Sequence, residues 1–472
     1  MNFGDRFINV MDGDPQVVGA TSLDARLDAL LPALGGGPYT LYLGRSATFR
    51  GVRDLDPRLS LWMGPGAVIT LQPGARLIVR GSVDLGIETR FDTRAGSGAE
   101  VQLLGALDAL RPEWWRHSDD WSDALDAVVA AATARILASV PQVPIRLIGP
   151  YGLSRTLELA TPPGSEAVGF VFVGRHPRGD AVLAPTFWRS LATPGRFPLL
   201  RTQPRVRISM RHVAFDTTQA LPAVGKESQS AAVVHEGFAS GIEYDRCSFF
   251  VGSGDGVVLR PIERSARGEL DGLHDRVRFV RCWFQMQPDG PAEGVAVRVD
   301  PRGSVRLQLD GCAFRGSARA MVSMPSGVCE VTGCDFANAS PREFDPGVDL
   351  LLGESAIVDD GGVIVDDLGP LLVAETHVRS QTLRHLHGRI LASQSGTVCL
   401  TGVVHQPDPA GRAANLLPPA IEWTAQVGGG LLLQGCHVSG TVASSPATRV
   451  MLVATATQGI PSTRSGVVSI VG

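Results

Sequence analysis

The side chains in this sequence best suited to chemistry are carboxylates in turns. Asp255 sits in Ser253-Gly-Asp255-Gly256, a segment with the composition of a turn. Asp359-Asp360 and Asp366-Asp367 bracket the apolar triplet Val363-Ile-Val365, so a strand there would hold the two pairs at its opposite ends. Paired carboxylates are the working groups of glycoside hydrolysis, one as acid and the other as base or nucleophile. The same oxygens suit Ca2+. Asp255, Asp359, Asp360, Asp366 and Asp367 are therefore the candidate catalytic residues; the plainer reading of each is a solvated acidic turn.

A second cluster is basic. His377, His385 and His387 lie close in sequence to Arg379, Arg384 and Arg389. Such a set has the chemistry to bind an acidic sugar, and exposed loop residues would explain it as well. His377, Arg379, Arg384, His385 and His387 are the candidate ligand-binding residues. Trp114, Trp115 and Trp121 have the flat apolar faces of a sugar-stacking platform, although packing against a helix is their expected role.

Other chemistries are excluded by what is missing. The seven cysteines, at 247, 282, 312, 329, 334, 399 and 436, form no Cys-x-x-Cys pair, which removes the usual zinc and redox spacings. No metal site is assigned and no cofactor is expected, Ca2+ being the one ion that the aspartate pairs suit. Lys226 is the only lysine, so a Schiff-base mechanism has one residue to draw on. A formal net charge of −4 argues against a phosphate-tracking surface, and no nucleic-acid partner is expected. No uncharged apolar run reaches the ~18 residues of a membrane span. The opening residues lack the basic and apolar regions of a secretory signal, so the expectation is a cytoplasmic protein or one exported by another route.

The elements that must position these residues show themselves as a repeat. Tyr244-Asp-Arg-Cys247-Ser-Phe249, Phe279-Val-Arg-Cys282-Trp-Phe284, Leu309-Asp-Gly-Cys312-Ala-Phe314 and Val331-Thr-Gly-Cys334-Asp-Phe336 share one pattern. Met210-Arg-His-Val213-Ala-Phe215 precedes them as a weaker copy. Val373-Ala-Glu-Thr376-His-Val378, Leu400-Thr-Gly-Val403-Val404 and Leu433-Gln-Gly-Cys436-His-Val438 follow. The steps from 213 to 247, 282, 312 and 334 are 34, 35, 30 and 22 residues. Apolar and polar residues alternate in each copy, the mark of a strand with one buried face. A fixed strand with loops of varying length is a solenoid, whose units bury their faces only by stacking. The recurring Cys then belongs to an inward stack as a small apolar filler. A disulfide framework is not expected in a chain of this length.

Length and composition agree. At 472 residues the chain exceeds one compact core, and 44% hydrophobic with 19% charged residues describes a folded protein. Fifty-five glycines and 32 prolines imply many turns. The repeats have neither helical periodicity nor the regular blades of a propeller, so short strands pairing in parallel between coils fit best. From about residue 165 onward there is room for ~10 coils. Two helix-then-strand units come first. Thr21 or Ser22 is placed to cap a helix with Leu23, Leu27, Leu30, Leu31 and Leu34 on one face, stopped by Gly35-Gly-Gly-Pro38 before the strand Tyr39–Leu43. The second helix starts near Ser122, with Leu125, Val128, Val129, Ala132, Ile136 and Leu137 in a stripe, and ends before the strand Ile145–Ile148. Between them, Leu61–Leu71, Ala75–Val79 and Val101–Leu104 read as rungs.

Gly64-Pro-Gly-Ala-Val-Ile-Thr-Leu-Gln-Pro-Gly-Ala-Arg-Leu-Ile-Val-Arg-Gly81 resembles the opening module of pectate-lyase-like β-helix proteins. So do Arg111-Pro-Glu-Trp-Trp115, Asp119-Asp120 and the strand that leads through Tyr151-Gly-Leu. The family includes tailspike depolymerases, pectate lyases and polygalacturonases. The match covers roughly residues 20–160. It departs at Arg116-His117, where a Gly-Ala is usual, and in a shortened aspartate turn. The resemblance implies an all-β, right-handed parallel β-helix solenoid with N-terminal capping helices. Three segments follow: 1–110, a helix plus first rungs; 111–164, the Pro-Glu-Trp-Trp segment and capping helix; and 165–472, the coils.

The polygalacturonase and pectate-lyase catalytic motifs are absent, so the reaction is not assignable and enzyme status stays open. The expectation is a carbohydrate-binding or polysaccharide-processing protein with a glycan partner. The alternative is a non-catalytic structural or adhesive subunit of a surface or particle assembly, in which such a helix would form a homotrimer.

Overall fold

The computed structural model describes residues 7–10, 22–94, 98–175, 185–189, 197–218, 231–237, 239–252, 254–260, 262–263, 270–271, 273–286, 294–300, 304–316, 318, 320–324, 327–332, 334–338, 348–352, 376–386, 389–392, 397–405, 421–423, 430–434, 437–438, 442–444, 449–453, 456–457 and 468–471. They form two compact units, residues 1–157 with 170–175, and residues 158–169 with 176–472.

The first unit is a stack of short coils. Tyr39–Leu43, Ala47–Phe49 and Val52–Leu55 make one coil, and Leu59–Met63, Ile69–Leu71 and Arg76–Val79 make the next. Each strand pairs in parallel with its counterpart: Leu41 with Leu61, Phe49 with Leu71, Leu55 with Val79. These in-register apolar residues are all buried. Val83–Asp84, Phe91–Asp92 and Glu100–Leu103 continue the three sheets. Gly81 marks how tightly the coils close, since a Cβ there would lie 2.1 Å from the Leu59 carbonyl oxygen.

Helix α1, Leu23–Leu30, buries Leu23 and Leu27. It ends earlier than Gly35-Gly-Gly because Pro32 breaks the ladder and tightens the chain into a 3-10 turn over Leu31–Ala33. Ser22 is the N-cap, but its hydroxyl donates to Asp24 Oδ2 rather than accepting a backbone N–H. Asp24 itself accepts the Arg50 and Gly51 amides, tying the helix to the first coil. Helix α2, Ser122–Leu137, packs against Glu100–Leu103. Its buried stripe ends on Arg135, not on the expected Leu137, which is exposed. The Arg135 guanidinium donates to the carbonyls of Leu103, Gly105 and Pro141, which is why a cation is tolerated there.

The second unit is a parallel β-solenoid, and its coils carry the repeat. Val206–Arg211, Ala239–Asp245, Leu273–Val280, Ser304–Asp310 and Gly327–Thr332 pair in order, and Thr376–Leu386, Thr397–His405, Gly430–Gln434, Arg449–Val453 and Val468–Val471 extend the sheet. Ala214–Asp216, Ser248–Val251, Trp283–Met286, Ala313–Gly316 and Asp335–Asn338 pair likewise. A further sheet runs from Leu200–Thr202 through Val233–Glu236, Val257–Arg260 and Val295–Val299 to Ala320–Met324. Within this unit, the one antiparallel pair among the described residues is Ile262–Glu263 with Leu270–Asp271.

The Cys column sits at the bend between the first two of these strand columns, which share one sheet. The residue before it is left-handed: His212, Arg246, Arg281 and Gly311 have φ of 54°, 53°, 50° and 61°. One such residue turns the chain sharply and aims the next side chain inward. Val213, Cys247, Cys282 and Cys312 are accordingly buried, and Cys334 is buried as well. Two positions on, Phe215, Phe249, Phe284 and Phe314 stack face to face, with centroids 5.3, 4.6 and 4.7 Å apart. Tyr244 and Phe279 form a second stack at 5.1 Å and meet the first edge-on. The proposed 436 member lies outside the described residues, as does the side chain of Thr376.

Candidate functional site

The Pro-Glu-Trp-Trp segment forms a 3-10 turn, Pro112–Trp115. Trp114 is buried and donates Nε1–H to the Gly86 carbonyl at 2.9 Å. Trp115 packs on Phe91 at 5.4 Å, and Trp121 lies edge-on to Tyr151 at 4.9 Å. All three tryptophans are spent on packing, so none offers an open sugar platform.

The same turn aims Glu113 at Tyr151. The Tyr151 hydroxyl donates to Glu113 Oε1 at 2.8 Å and accepts the Ile148 amide at 2.7 Å. Glu113 Oε2 is buried with no hydrogen-bond partner among the described residues. Burial raises the Glu113 carboxyl above its ordinary range and pushes the Tyr151 phenol up further. Asp120 does the opposite work. It accepts from the Ser122 amide and hydroxyl and from the Ser154 amide and hydroxyl, so it pins the start of α2 to the Tyr151–Leu153 strand. Although burial alone would raise its carboxyl, these donors together hold it below the ordinary range.

Asp92 and His117 make a third polar point. His117 Nε2 stands 3.6 Å from Asp92 Oδ1. Hydrogen bonds from Arg94 lower the Asp92 carboxyl, and burial lowers the His117 imidazole, leaving it neutral near neutral pH.

Asp255 is inside. It is 4% exposed, accepts the Val295 amide at 2.8 Å and pairs with Arg298 at 3.0 Å. Its own carbonyl accepts the Ala232 amide, so the residue joins three successive passages of the chain. Asp359, Asp360, Asp366, Asp367 and His387 lie outside the described residues. His377 and Arg379 fall on the strand Thr376–Leu386, in register with Glu330 and Thr332, and Arg384 and His385 lie further along it. The side chains of these four are outside the described residues.

Two groupings escaped the sequence reading. Thr202 Oγ1, His235 and Tyr244 Oη form a fully buried chain, with His235 Nδ1 2.8 Å from Thr202 and Nε2 2.9 Å from Tyr244. The adjacent-rung register of Thr202 and His235 creates it, and no single-strand pattern reveals such a pairing. The other is at the surface. Phe7, Tyr42 and Trp62, on three successive strands, contact one another with centroids 5.1 to 5.3 Å apart. Phe7 is 52% and Trp62 40% exposed. Asn9, Tyr42, Trp62 and Asp84 share one outward row of the register. The signal was legible: Tyr42 in Tyr39–Leu43 and Trp62 in Leu59–Met63 occupy the outward phase of the alternation, whereas Tyr39 is buried.

Among the described residues, no group of three or more His, Cys, Asp or Glu side chains is placed to hold a metal ion, and no helix is long and apolar enough to cross a membrane. The chain matches no protein-family model, no curated protein and no solved structure.

Proposed function

We propose that this chain is a glycan-binding protein built as a right-handed, pectate-lyase-like parallel β-helix, with α2 covering the strand edge at Glu100–Leu103. The right hand follows from the strong chirality of parallel crossovers. A helix over an open strand edge removes unpaired backbone groups. The observation that carries the functional reading is the exposed cluster of Phe7, Tyr42 and Trp62. Aromatic faces attract the C–H faces of pyranose rings, and Asn9, Ser60 and Asp84 beside them supply partners for hydroxyl groups. Binding is favoured over cleavage because Asp255, the one candidate carboxylate described, is buried in an ion pair.

The test is a glycan array probed with the wild-type chain, Trp62→Ala and Phe7→Ala, beside a mass measurement in solution. Binding to a set of glycans that both variants lose supports the reading. An array without signal, together with an oligomer that Trp62→Ala dissociates, would replace it with the structural-subunit reading, in which the rings join protomers.

A further inference from the structure

The formal charge of the whole chain is −4, yet one face of the second unit is rich in arginine. On Val206–Arg211, Ala239–Asp245, Leu273–Val280 and Ser304–Asp310, Ile208, Tyr244, Phe279 and Leu307 point inward and are buried. Their neighbours along each strand therefore face outward. Arg207 and Arg211 are exposed on the first strand, Arg276 and Arg278 on the third and Arg306 on the fourth, and Arg281 is exposed at the adjoining bend.

Among the described side chains, three carboxylates share this face, Glu243, Asp245 and Asp310, and the register sets Glu330 on the row of Glu243 and Gln308. Arg281 lies 3.6 Å from Asp245, and Arg278 lies 3.7 Å from Asp310. Arg207 and Arg211 have no ion-pair partner among the described residues. The arginines lie on the first, third and fourth of these strands, so that at ~4.8 Å per strand the positive charge extends over ~15 Å, with Glu243 and Asp245 of the second strand set between them. The register carries the same rows through Glu330 and Thr332 on to His377 and Arg379.

We infer that this arginine-rich face binds an extended acidic polysaccharide, carboxylated or sulfated. Guanidinium groups take such anions in two parallel hydrogen bonds, a geometry that a point charge lacks. Glu243, Gln308 and Asp310, set among the arginines, are acceptors for sugar hydroxyls. The inference deepens the glycan-binding reading by naming a ligand class. It rests on that reading for the sugar backbone only, since its observations come from a different sheet than the aromatic cluster.

The test measures binding of the full chain to alginate, dextran sulfate, uncharged dextran and single-stranded DNA at low and high salt. The variants are Arg207→Gln/Arg211→Gln and Arg278→Gln/Arg306→Gln, all exposed positions, with Arg207→Lys/Arg211→Lys to separate fork geometry from charge. Expected is binding to alginate or dextran sulfate that weakens with salt and falls about tenfold or more in each glutamine variant, while uncharged dextran is ignored. The lysine variant recovers only part of the loss. Equal binding by wild type and glutamine variants, or tighter binding of DNA than of both polyanions, overturns the inference. Trp62→Ala serves as the crossed control. If it leaves acidic-glycan binding intact while the array stays silent, the aromatic-site reading fails alone. If it abolishes neutral-glycan binding while the arginine variants change nothing, the arginine face fails alone.

Discussion

The Cys282 thiol donates to the Tyr244 carbonyl, 3.3 Å away on the preceding coil. Cys312 does the same to Phe279 at 3.4 Å, and Cys247 to Met210 at 3.5 Å. Each acceptor stands three residues before its own coil's bend, so the thiols form a ladder that repeats with the coil. Cysteine suits this column because it is small and apolar, yet carries a weak donor for a buried carbonyl.

Thiols closed off from water in this way are expected to react slowly. Burial pushes the Cys282 thiol well above its ordinary range, and Cys247, Cys282, Cys312 and Cys334 are each 0–1% exposed. Alkylation under native conditions, followed by mass mapping, is expected to leave these four unmodified, and labelling in denaturant to modify them all. Native labelling of Cys282 at the rate of a free thiol would contradict the ladder.

The aromatic stack is fully buried. Phe249 touches Phe215 and Phe284 face to face and Tyr244 edge-on. Phe249→Ala should destabilise the second unit by about 3–5 kcal/mol through lost burial and a cavity, and Phe249→Leu by clearly less. Denaturant unfolding followed by circular dichroism reads the difference.

The left-handed residue before Cys247, Cys282 and Cys312 sets the bend. At Gly311, φ is 61° and an added Cβ would meet Arg281 Cγ at 3.4 Å. Gly311→Ala should therefore cost about 1 kcal/mol or more. Arg246, with φ 53°, already carries that strain, so Arg246→Gly should be neutral or stabilising by up to about 1 kcal/mol. Opposite signs in thermal unfolding are the expected outcome.

That column shows how far the sequence could be read. Cys-x-Phe spacing exposed the strand, its buried phase and the stacking, because small and aromatic residues recur at fixed offsets. The residue in front of Cys was equally periodic, Arg at 246 and 281 and Gly at 311, yet its meaning is a backbone angle, which residue type alone does not determine. Asp255 shows the other boundary. Gly on both sides made it look like a solvated turn, whereas burial comes from Val295 and Arg298, about 40 residues away along the chain and brought close only by coil stacking.

Glu113 introduces a pH dependence. Burial raises its folded carboxyl above the ordinary value of 4.5, so the folded chain holds this proton more tightly than the unfolded chain. Its contribution to stability is fully present below the ordinary value and is lost as pH rises through the raised one. Arg111 and Arg116 oppose the shift, and Tyr151 already donates to the carboxylate. Glu113→Gln keeps an acceptor for Tyr151 without the titration. Melting temperatures measured between pH 4 and pH 8 should fall less steeply with rising pH in the variant than in wild type, after the acid limb shared by both.

Asp255 separates a structural carboxylate from a reactive one. Its Oδ1 receives both the Val295 amide and the Arg298 guanidinium in a site that is nearly closed to water. Asp255→Asn preserves shape but leaves the Arg298 charge without its counter-ion, which should destabilise the second unit by about 2–4 kcal/mol. Arg298→Met alone should also destabilise, since it leaves the Asp255 charge buried. The double substitution should recover part of the loss, because neither charge is then stranded. Glycan binding per folded molecule is expected to match wild type in all three variants. A variant with wild-type stability that lost binding or turnover would instead assign Asp255 to the ligand, and the ion pair would be incidental to the fold.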